Sequence, residues 1–514
     1  MKINNIFLFS LLLVLLSSCE EPKVVVFEDD IFIPLPQEIV TDSSSFEISP
    51  NTVISFNESS LSAYALELND ILIEFVELDL EIEERAGVKR GHIHFSLDTM
   101  LSNQLEGAYE LMISHDNVQI LAGNKAGLYY GLKSLKQLLL YQSGRQSVEE
   151  EHFLLPAGRI IDEPQFEYRG MMLDISRHFF PADSIKLLMD WMSDYKMNVL
   201  HLHLSDDQGW RIHIDKWPEL TATGAQTEVG GTPGGFLSKK DFVGLVQYAA
   251  AKHITIVPEI DMPGHTNAAL ASYAFLNCDN KKRDLYTGTR VGFSTFCTRK
   301  EAVYSFLDDV IGEIASLSPG PYFHIGGDES DVTSKEDYLY FLERVASIVA
   351  SKDKVLMGWD DIAVGDLIEG SVMQVWHSKE NAKLAVDKGM KLVLSPAEYA
   401  YLDMKYDKTT ELGLDWASLI EVDRSYDWNP ESYVSNVEDH ILGLECPLWT
   451  ETVEDMEDLE FLVFPRLLSY AELAWTKSDK RDWAKYRQRL ASQQAYFLSN
   501  SINYYPSPKV DWKK

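Results

Sequence analysis

YFHIGGDES, residues 322–330, runs as a short apolar strand into two glycines and then presents Asp328 and Glu329 side by side. Two sheltered carboxylates that close repel each other, so at least one must hold its proton above the usual carboxylate range. One reading is a helix start, with Asp as N-cap and Glu in the first turn. The other is a functional pair at the end of a buried strand. The rest of the chain separates the two.

The same plan recurs along the sequence. RGMMLDIS (169–176), NVLHLHLSDD (198–207), ITIVPEIDMPGH (254–265), VLMGWDD (355–361), SVMQVWHS (371–378), KLVLSPAEYAYLD (391–403) and ILGLECPLWTE (441–451) bring the number of such runs to eight. Residues 181–196, 238–252, 300–316, 335–352, 379–389 and 458–475 read as helices between or after them. Eight buried parallel strands with helical crossovers predict a (β/α)8 TIM barrel over residues 166–480. Each run ends in carboxylates, His, Arg, Trp or Tyr, and in such a barrel those ends converge on one face. A lone Asp-Glu pair reads as a cap; polar and aromatic ends on all eight strands read as one pocket.

Ahead of the barrel, residues 25–165 alternate short strand patterns with two helical ones and predict a small α+β domain. In VQILAGNKAGLYYGLKSLKQLLLYQ a strand and a turn at Gly123-Asn124 lead into a helix whose apolar face carries Leu128, Leu132, Leu135 and Leu139. Asp162, Glu163 and Pro164 mark the expected end of this domain. Residues 481–514 read as a helical tail packed on the barrel.

The first residues, MKINNIFLFSLLLVLLSSCEEP, read as an export signal over 1–18, with Lys2 at its start and an apolar run too short to span a bilayer. Small residues before Cys19 resemble the bacterial lipobox, so Cys19 is the expected lipidation site. That places the protein in the cell envelope, held to a membrane by lipid alone. Lys+Arg 46 against Asp+Glu 80 gives a formal net charge of −34, a surface that repels polyanions and excludes nucleic acid as a partner. Three further cysteines remain. In an oxidising compartment one pair can form; Cys278 and Cys297 flank a polar loop, and a bridge there would stabilise it by roughly 3 kcal/mol. Cys446 lies in an apolar run and reads as a buried thiol. None has metal-site spacing, and no cofactor is implied.

The predicted pocket mixes carboxylates (Asp174, Asp206, Asp207, Glu259, Asp261, Asp328, Glu329, Asp403, Glu451), aromatics (Trp359, Trp376, Tyr401, Trp449), Arg177 and His265. Indole faces beside hydrogen-bonding carboxylates suit a sugar, whose C–H faces stack on rings while its hydroxyls need partners. A retaining glycosidase ordinarily uses carboxyls on opposite sides of the scissile bond, roughly 5 Å apart. Adjacent residues serve one side more easily, so the nucleophile must come from elsewhere. A 2-acetamido group on the substrate can supply it through its carbonyl oxygen.

HIGGDE, with LDISRHFFP, HLHLSDDQGWR, VPEIDMPGH, MGWDD, QVW, YLDMKYD and PLWTE in this order, resembles glycoside hydrolase family 20, the β-N-acetylhexosaminidases, over nearly all of residues 105–475. The resemblance implies exo-acting hydrolysis of terminal β-linked N-acetylglucosamine or N-acetylgalactosamine, with retention, through an oxazolinium intermediate. It implies that Asp328 orients the acetamido group and Glu329 is the acid/base. Arg177 would bind ring hydroxyls, and Asp206 and His265 would tune the acid/base with Asp261 close behind. Trp359, Trp376 and Trp449 would wall the acetamido methyl and the sugar ring. Tyr401 would bond the acetamido carbonyl, and Asp403 and Glu451 would read distal hydroxyls. TEVGGTPGGF, VGFSTFCT and the spacing of Cys278 and Cys297 resemble the bacterial branch.

Two other readings stand beside this one. His201-x-His203 puts two imidazoles on one strand face and can begin a metal site, though no carboxylate-bridged ligand set completing it is evident in the sequence; otherwise both are structural histidines. A lipid-tethered barrel could also hold amino sugars without cleaving them, but such a degenerate site would lack the acid/base residue that Glu329 supplies.

Overall fold

The computed structural model describes residues 31–101, 105–146 and 152–512. The expected signal peptide and Cys19 lie outside the described residues. Seven strands precede the barrel: β1 (Glu38–Ile48), β2 (Val53–Phe56), β3 (Glu81–Glu84), β4 (His92–Leu97), β5 (Tyr109–Ile113), β6 (Val118–Ala122) and β7 (Phe153–Asp162). They form one mixed sheet in the order β1-β7-β5-β6-β4-β2-β3. Helices α1 (Ser62–Val76) and α2 (Lys125–Ser143) cover it. Asn124 caps α2 by accepting the Gly127 N–H, and Leu128, Leu132, Leu135 and Leu139 are all buried in that domain's core.

All eight barrel runs form strands: β8 (Tyr168–Asp174), β9 (Val199–His203), β10 (Thr255–Glu259), β11 (Tyr322–His324), β12 (Val355–Trp359), β13 (Val372–Val375), β14 (Lys391–Leu394) and β15 (Ile441–Leu448). They close in sequence order, every neighbouring pair parallel. Near-continuous burial along each strand is what a sheet covered on both faces requires. Ser238 and Ser334 cap the helices that follow them by accepting the N3 amides of Asp241 and Asp337. The single helix expected over 458–475 is instead two, Met456–Val463 and Arg466–Trp475. Pro465 separates them, because proline offers no amide to the helix and crowds the preceding turn.

Asp162 also differs from its reading as part of a polar boundary. It is buried, and its carboxylate takes Lys196 Nζ at 2.9 Å, Tyr109 Oη at 2.7 Å and Trp475 Nε1 at 2.9 Å. It pins the small domain to the barrel. Past residue 481, Trp483–Ser492 and Gln494–Ser499 are helical, and Tyr486, Leu490 and Phe497 enter the barrel's outer core. Among the described residues, no helix is long and apolar enough to cross a membrane.

Candidate active site

The loop after β11 explains its glycines. Gly326 and Gly327 have φ of +66° and +101°. A Cβ on Gly326 would lie 1.8 Å from Asp261 Oδ1, and one on Gly327 would lie 2.5 Å from Ile362 Cγ2. Asp261 Oδ1 accepts the Gly327 N–H at 3.2 Å, so the carboxylate that excludes a side chain also braces the turn. Glu329 (φ +44°) and His265 (φ +52°) are themselves left-handed. Non-glycine residues stay there only when the surroundings over-determine them, as functional sites often do.

The turn delivers both carboxylates to one imidazole. His265 Nε2 lies 3.4 Å from Glu329 Oε2 and 3.8 Å from Asp328 Oδ2. Its Nδ1 lies 3.1 Å from Asp206 Oδ1, while Asp206 Oδ2 takes Arg177 Nη2 at 2.7 Å. Arg177 also meets Asp174 at 3.3 Å and stands 4.8 Å from the centre of the Trp449 ring. Burial opposes the charge on His265, but Asp206 and then Asp261 outweigh it and hold the imidazole well above its ordinary pKa. Burial likewise works against an ionised Asp206, and Arg177 and His265 overcome it to hold that carboxyl far below the usual range. Asp328 goes the other way. Burial, with help from Glu329 and Asp361 and against the pull of His265, lifts it to about 7. The repulsion foreseen between the neighbours therefore contributes to the shift at Asp328, behind its burial.

A cavity of about 430 Å³ opens at this end of the barrel, lined by Arg177, His265, Asp328, Glu329, Trp376, Tyr401, Asp403, Trp449 and Glu451. Several of these residues carry buried polar atoms without a hydrogen-bond partner: Arg177 Nε, Asp328 Oδ1, both Asp403 carboxylate oxygens and Glu451 Oε2. Native interiors rarely leave such atoms unpaired, and a concave wall of them beside indole faces fits a polyhydroxylated ligand. Burial and Glu451 push Asp403 well above the carboxylate range. A larger cavity, about 870 Å³, opens at the opposite end of the barrel. Its buried cation, Arg169, is already engaged by the carbonyls of Lys196 and Phe166 and by Tyr130, so the chemistry belongs to the smaller one.

Residues 166–478 match the glycosyl hydrolase family 20 catalytic domain, and residues 31–163 match domain 2 of the same family. The chain belongs to glycosyl hydrolase family 20. It is 36% identical to a beta-N-acetylhexosaminidase of Cellulomonas fimi, over 93% of this chain and 97% of that protein. The Streptomyces plicatus N-acetyl-beta-hexosaminidase, solved in complex with Thio-NAglucal, superposes with a TM-score of 0.89 at 43% identity, covering 96% of this chain and 99% of that one. The beta-N-acetylhexosaminidase of Bacteroides fragilis gives 0.80 at 27% identity, over 93% and 98%. The family 20 chain described here is thus a glycoside hydrolase.

Of the residues read from the sequence, Asp206 and Asp261 sit one layer behind the cavity and reach it through Arg177, His265 and the Gly327 turn. Trp359 is also behind the wall: its indole N–H donates to Glu259 at 2.9 Å and its ring lies 5.5 Å from that of Trp449. Cys278 and Cys297 are joined by a disulfide, and Cys446 is a buried free thiol. The bridged loop between them brings Thr289 and Val291 to the cavity. Trp416 was not anticipated. It lines the same cavity yet remains 57% exposed, with its ring 6.2 Å from Trp376 and 6.0 Å from Tyr401. It lies in an irregular loop with no periodicity to mark it; a lone tryptophan in a polar stretch was the available signal. Asp361, two residues past the end of β12, accepts the Trp376 indole N–H at 3.2 Å.

His201 and His203 do meet carboxylates that the sequence did not place with them. Glu259 lies between His201, His203 and His324, and His201, Glu259 and His324 are close enough together to hold an ion. Both nitrogens of His203 are already committed, to Glu259 and Asp206.

Proposed function

We propose that this family 20 hydrolase is an exo-acting β-N-acetylhexosaminidase that removes terminal β-linked N-acetylglucosamine or N-acetylgalactosamine with retention, using the substrate's own acetamido oxygen as nucleophile. The observation that carries the reading is Asp328 Oδ1: a buried carboxylate oxygen with no donor, on the residue adjoining the candidate acid/base. An acetamido N–H is the donor it lacks. In this reading Asp328, ionised, turns the amide so that its carbonyl oxygen faces the anomeric carbon and then balances the charge of the oxazolinium ion. Glu329 passes its proton to the leaving oxygen as the glycosidic bond breaks, then takes one from water as the ring opens. Arg177, Asp403 and Glu451 pair with sugar hydroxyls, Trp376 and Trp449 cover the ring, and Tyr401 bonds the acetamido carbonyl.

The test is release of nitrophenol from aryl N-acetyl-β-glucosaminide and aryl β-glucoside, each with and without a chelator. Cleavage of the N-acetyl substrate alone, unchanged by chelator, is expected. Cleavage of both sugars would require an enzyme nucleophile and overturn substrate assistance. Inhibition by chelator would move the reading towards the His201, Glu259 and His324 cluster.

The same proposal includes export and a lipid tether through Cys19, supported by the charged start, short apolar run and small residues ahead of that cysteine. Incorporation of labelled palmitate into the wild type, and its loss in Cys19→Ser, is the expected result. Equal labelling of both would remove the tether.

A further inference from the structure

A ladder of alternating carboxylates and imidazoles runs from the closed interior of the barrel to Glu329. Glu445 Oε1 on β15 lies 3.0 Å from His201 Nδ1, and His201 Nε2 lies 3.1 Å from Glu259 Oε2. The same Glu259 oxygen is 2.6 Å from His203 Nδ1, and His203 Nε2 is 3.0 Å from Asp206 Oδ2. Asp206 and His265 then complete the path to Glu329 at 3.1 and 3.4 Å. Every member before Glu329 is buried. Interior barrel positions are ordinarily filled by branched aliphatic side chains, and a buried ion pair seldom stabilises a fold more than such residues would. Stability alone therefore does not account for two glutamates and two histidines below Asp206.

We propose that His203 and Glu259, backed by His201 and Glu445, are positioning residues for the reaction: the ladder fixes Asp206 and His265 and so aims the acid/base residue Glu329. This rests on the acid/base role given to Glu329 above. Asp206 divides its two oxygens, Oδ2 to Arg177 and His203, Oδ1 to His265 and the Asp207 backbone N–H. Without the His203 donor, Oδ2 is held by Arg177 alone, so the carboxylate turns about its Oδ1 bond to the Asp207 N–H and His265 loses its fixed alignment. Burial works against a charged His203, but Glu259 and Asp206 outweigh it and hold the imidazole well above its ordinary pKa. The charged groups facing His203 are Glu259 from β10, Asp206 from its own loop and Asp174 from β8, with the Trp449 ring centre 5.0 Å away. Glu259 is faced by His201, His203, His324 and the Trp359 indole. Glu445 is faced by His201, Tyr168 and Gln374. His265 is faced by Asp206, Asp261, Asp328 and Glu329.

The experiment compares kcat/KM for phenyl and 2,4-dinitrophenyl N-acetyl-β-glucosaminides in the wild type, His203→Gln, Glu259→Gln and Glu445→Gln. This parameter reports only steps through departure of the aryl group. Phenolate needs a proton to leave and dinitrophenolate does not. His203→Gln and Glu259→Gln are expected to lose about 10–100-fold on the phenyl substrate, a share of what a positioned acid supplies, and to lose almost nothing on the dinitrophenyl one. Glu445→Gln, at the far end, should show the same asymmetry in weaker form. The ratio of the two rates comes from one preparation, so partial misfolding does not alter it; Glu445→Gln preserves shape and keeps the readout if the deeper variants do not fold. Equal losses on both substrates, or unchanged rates on phenyl, would overturn the proposal and leave the ladder as packing. A wild type inactive on both substrates would overturn the proposed function itself, and this inference with it.

Discussion

Asp328 and Glu329 are chemically similar and adjacent, yet their surroundings give them different work. Asp328 titrates at about 7 in the folded chain against an ordinary 3.8. Between about pH 4 and 7 the folded chain therefore binds a proton that the unfolded chain does not, so this residue makes stability fall as pH rises through that window. The loss should be visible as a difference between wild type and Asp328→Asn in denaturation midpoints at pH 4.5 and 7.5; parallel behaviour of the two would contradict it. Catalysis needs the ionised form, so kcat/KM should fall on the acid side of about pH 7. An acetamido N–H bonded to Asp328 favours its charge, which moves the corresponding limb of kcat to lower pH. Limbs at the same pH in both profiles would argue against that bond. Glu329→Gln keeps shape and sugar contacts but cannot donate the proton. Its kcat should drop about 10²–10⁴-fold on a phenyl leaving group with KM little changed, and undiminished turnover would remove the acid/base assignment.

The turn carrying this pair is built from one strand and one borrowed carboxylate. Gly326→Ala would drive a methyl to 1.8 Å from Asp261 Oδ1 at a backbone angle alanine avoids. It should abolish activity while the remaining strands keep the barrel folded, seen as native circular dichroism with no turnover; normal kinetics would mean the turn has room that the geometry denies. All eight barrel strands were legible because each is a short apolar run, and the repeated change to polar and aromatic residues marked their catalytic ends. Asp328, Glu329, Arg177 and His265 were legible for the same reason, since they directly follow such runs. Trp416 was not, because it sits in a long loop whose path depends on tertiary packing. The Glu259, His203 and Glu445 ladder was not either: strand alternation says which residues face inward, but register between strands decides which of them meet. His324 was hidden similarly: it meets Glu259 only through the register of β11 on β10. Pro465 marks in the sequence the break between Met456–Val463 and Arg466–Trp475.

The two domains are joined by buried polar contacts, which sets how the molecule comes apart. Asp162 ends the last strand of the small domain and receives Lys196 and Trp475 from the barrel side, with Tyr109 from its own sheet. Trp475 counts in the core of the small domain although it ends Arg466–Trp475, the second helix after the last barrel strand. Gln37 adds its side-chain amide to the Trp475 carbonyl at 3.0 Å. Asp162→Ala would strand the Lys196 ammonium in a site where it is 1% exposed. Removing one partner of a buried pair costs about 3–5 kcal/mol, and here the whole cost falls on the junction. Thermal unfolding of the wild type should therefore be a single transition in which both domains melt together. Asp162→Ala should lower and split it, the small domain melting first and the barrel retaining N-acetylhexosaminidase activity until the second step. Replacing Lys196 by Met in the same variant removes the stranded charge and should recover part of the loss. A single transition at the wild-type temperature in Asp162→Ala would show that other contacts, among them Lys133 and Lys136 on Asp194, and not this ion pair, hold the domains together.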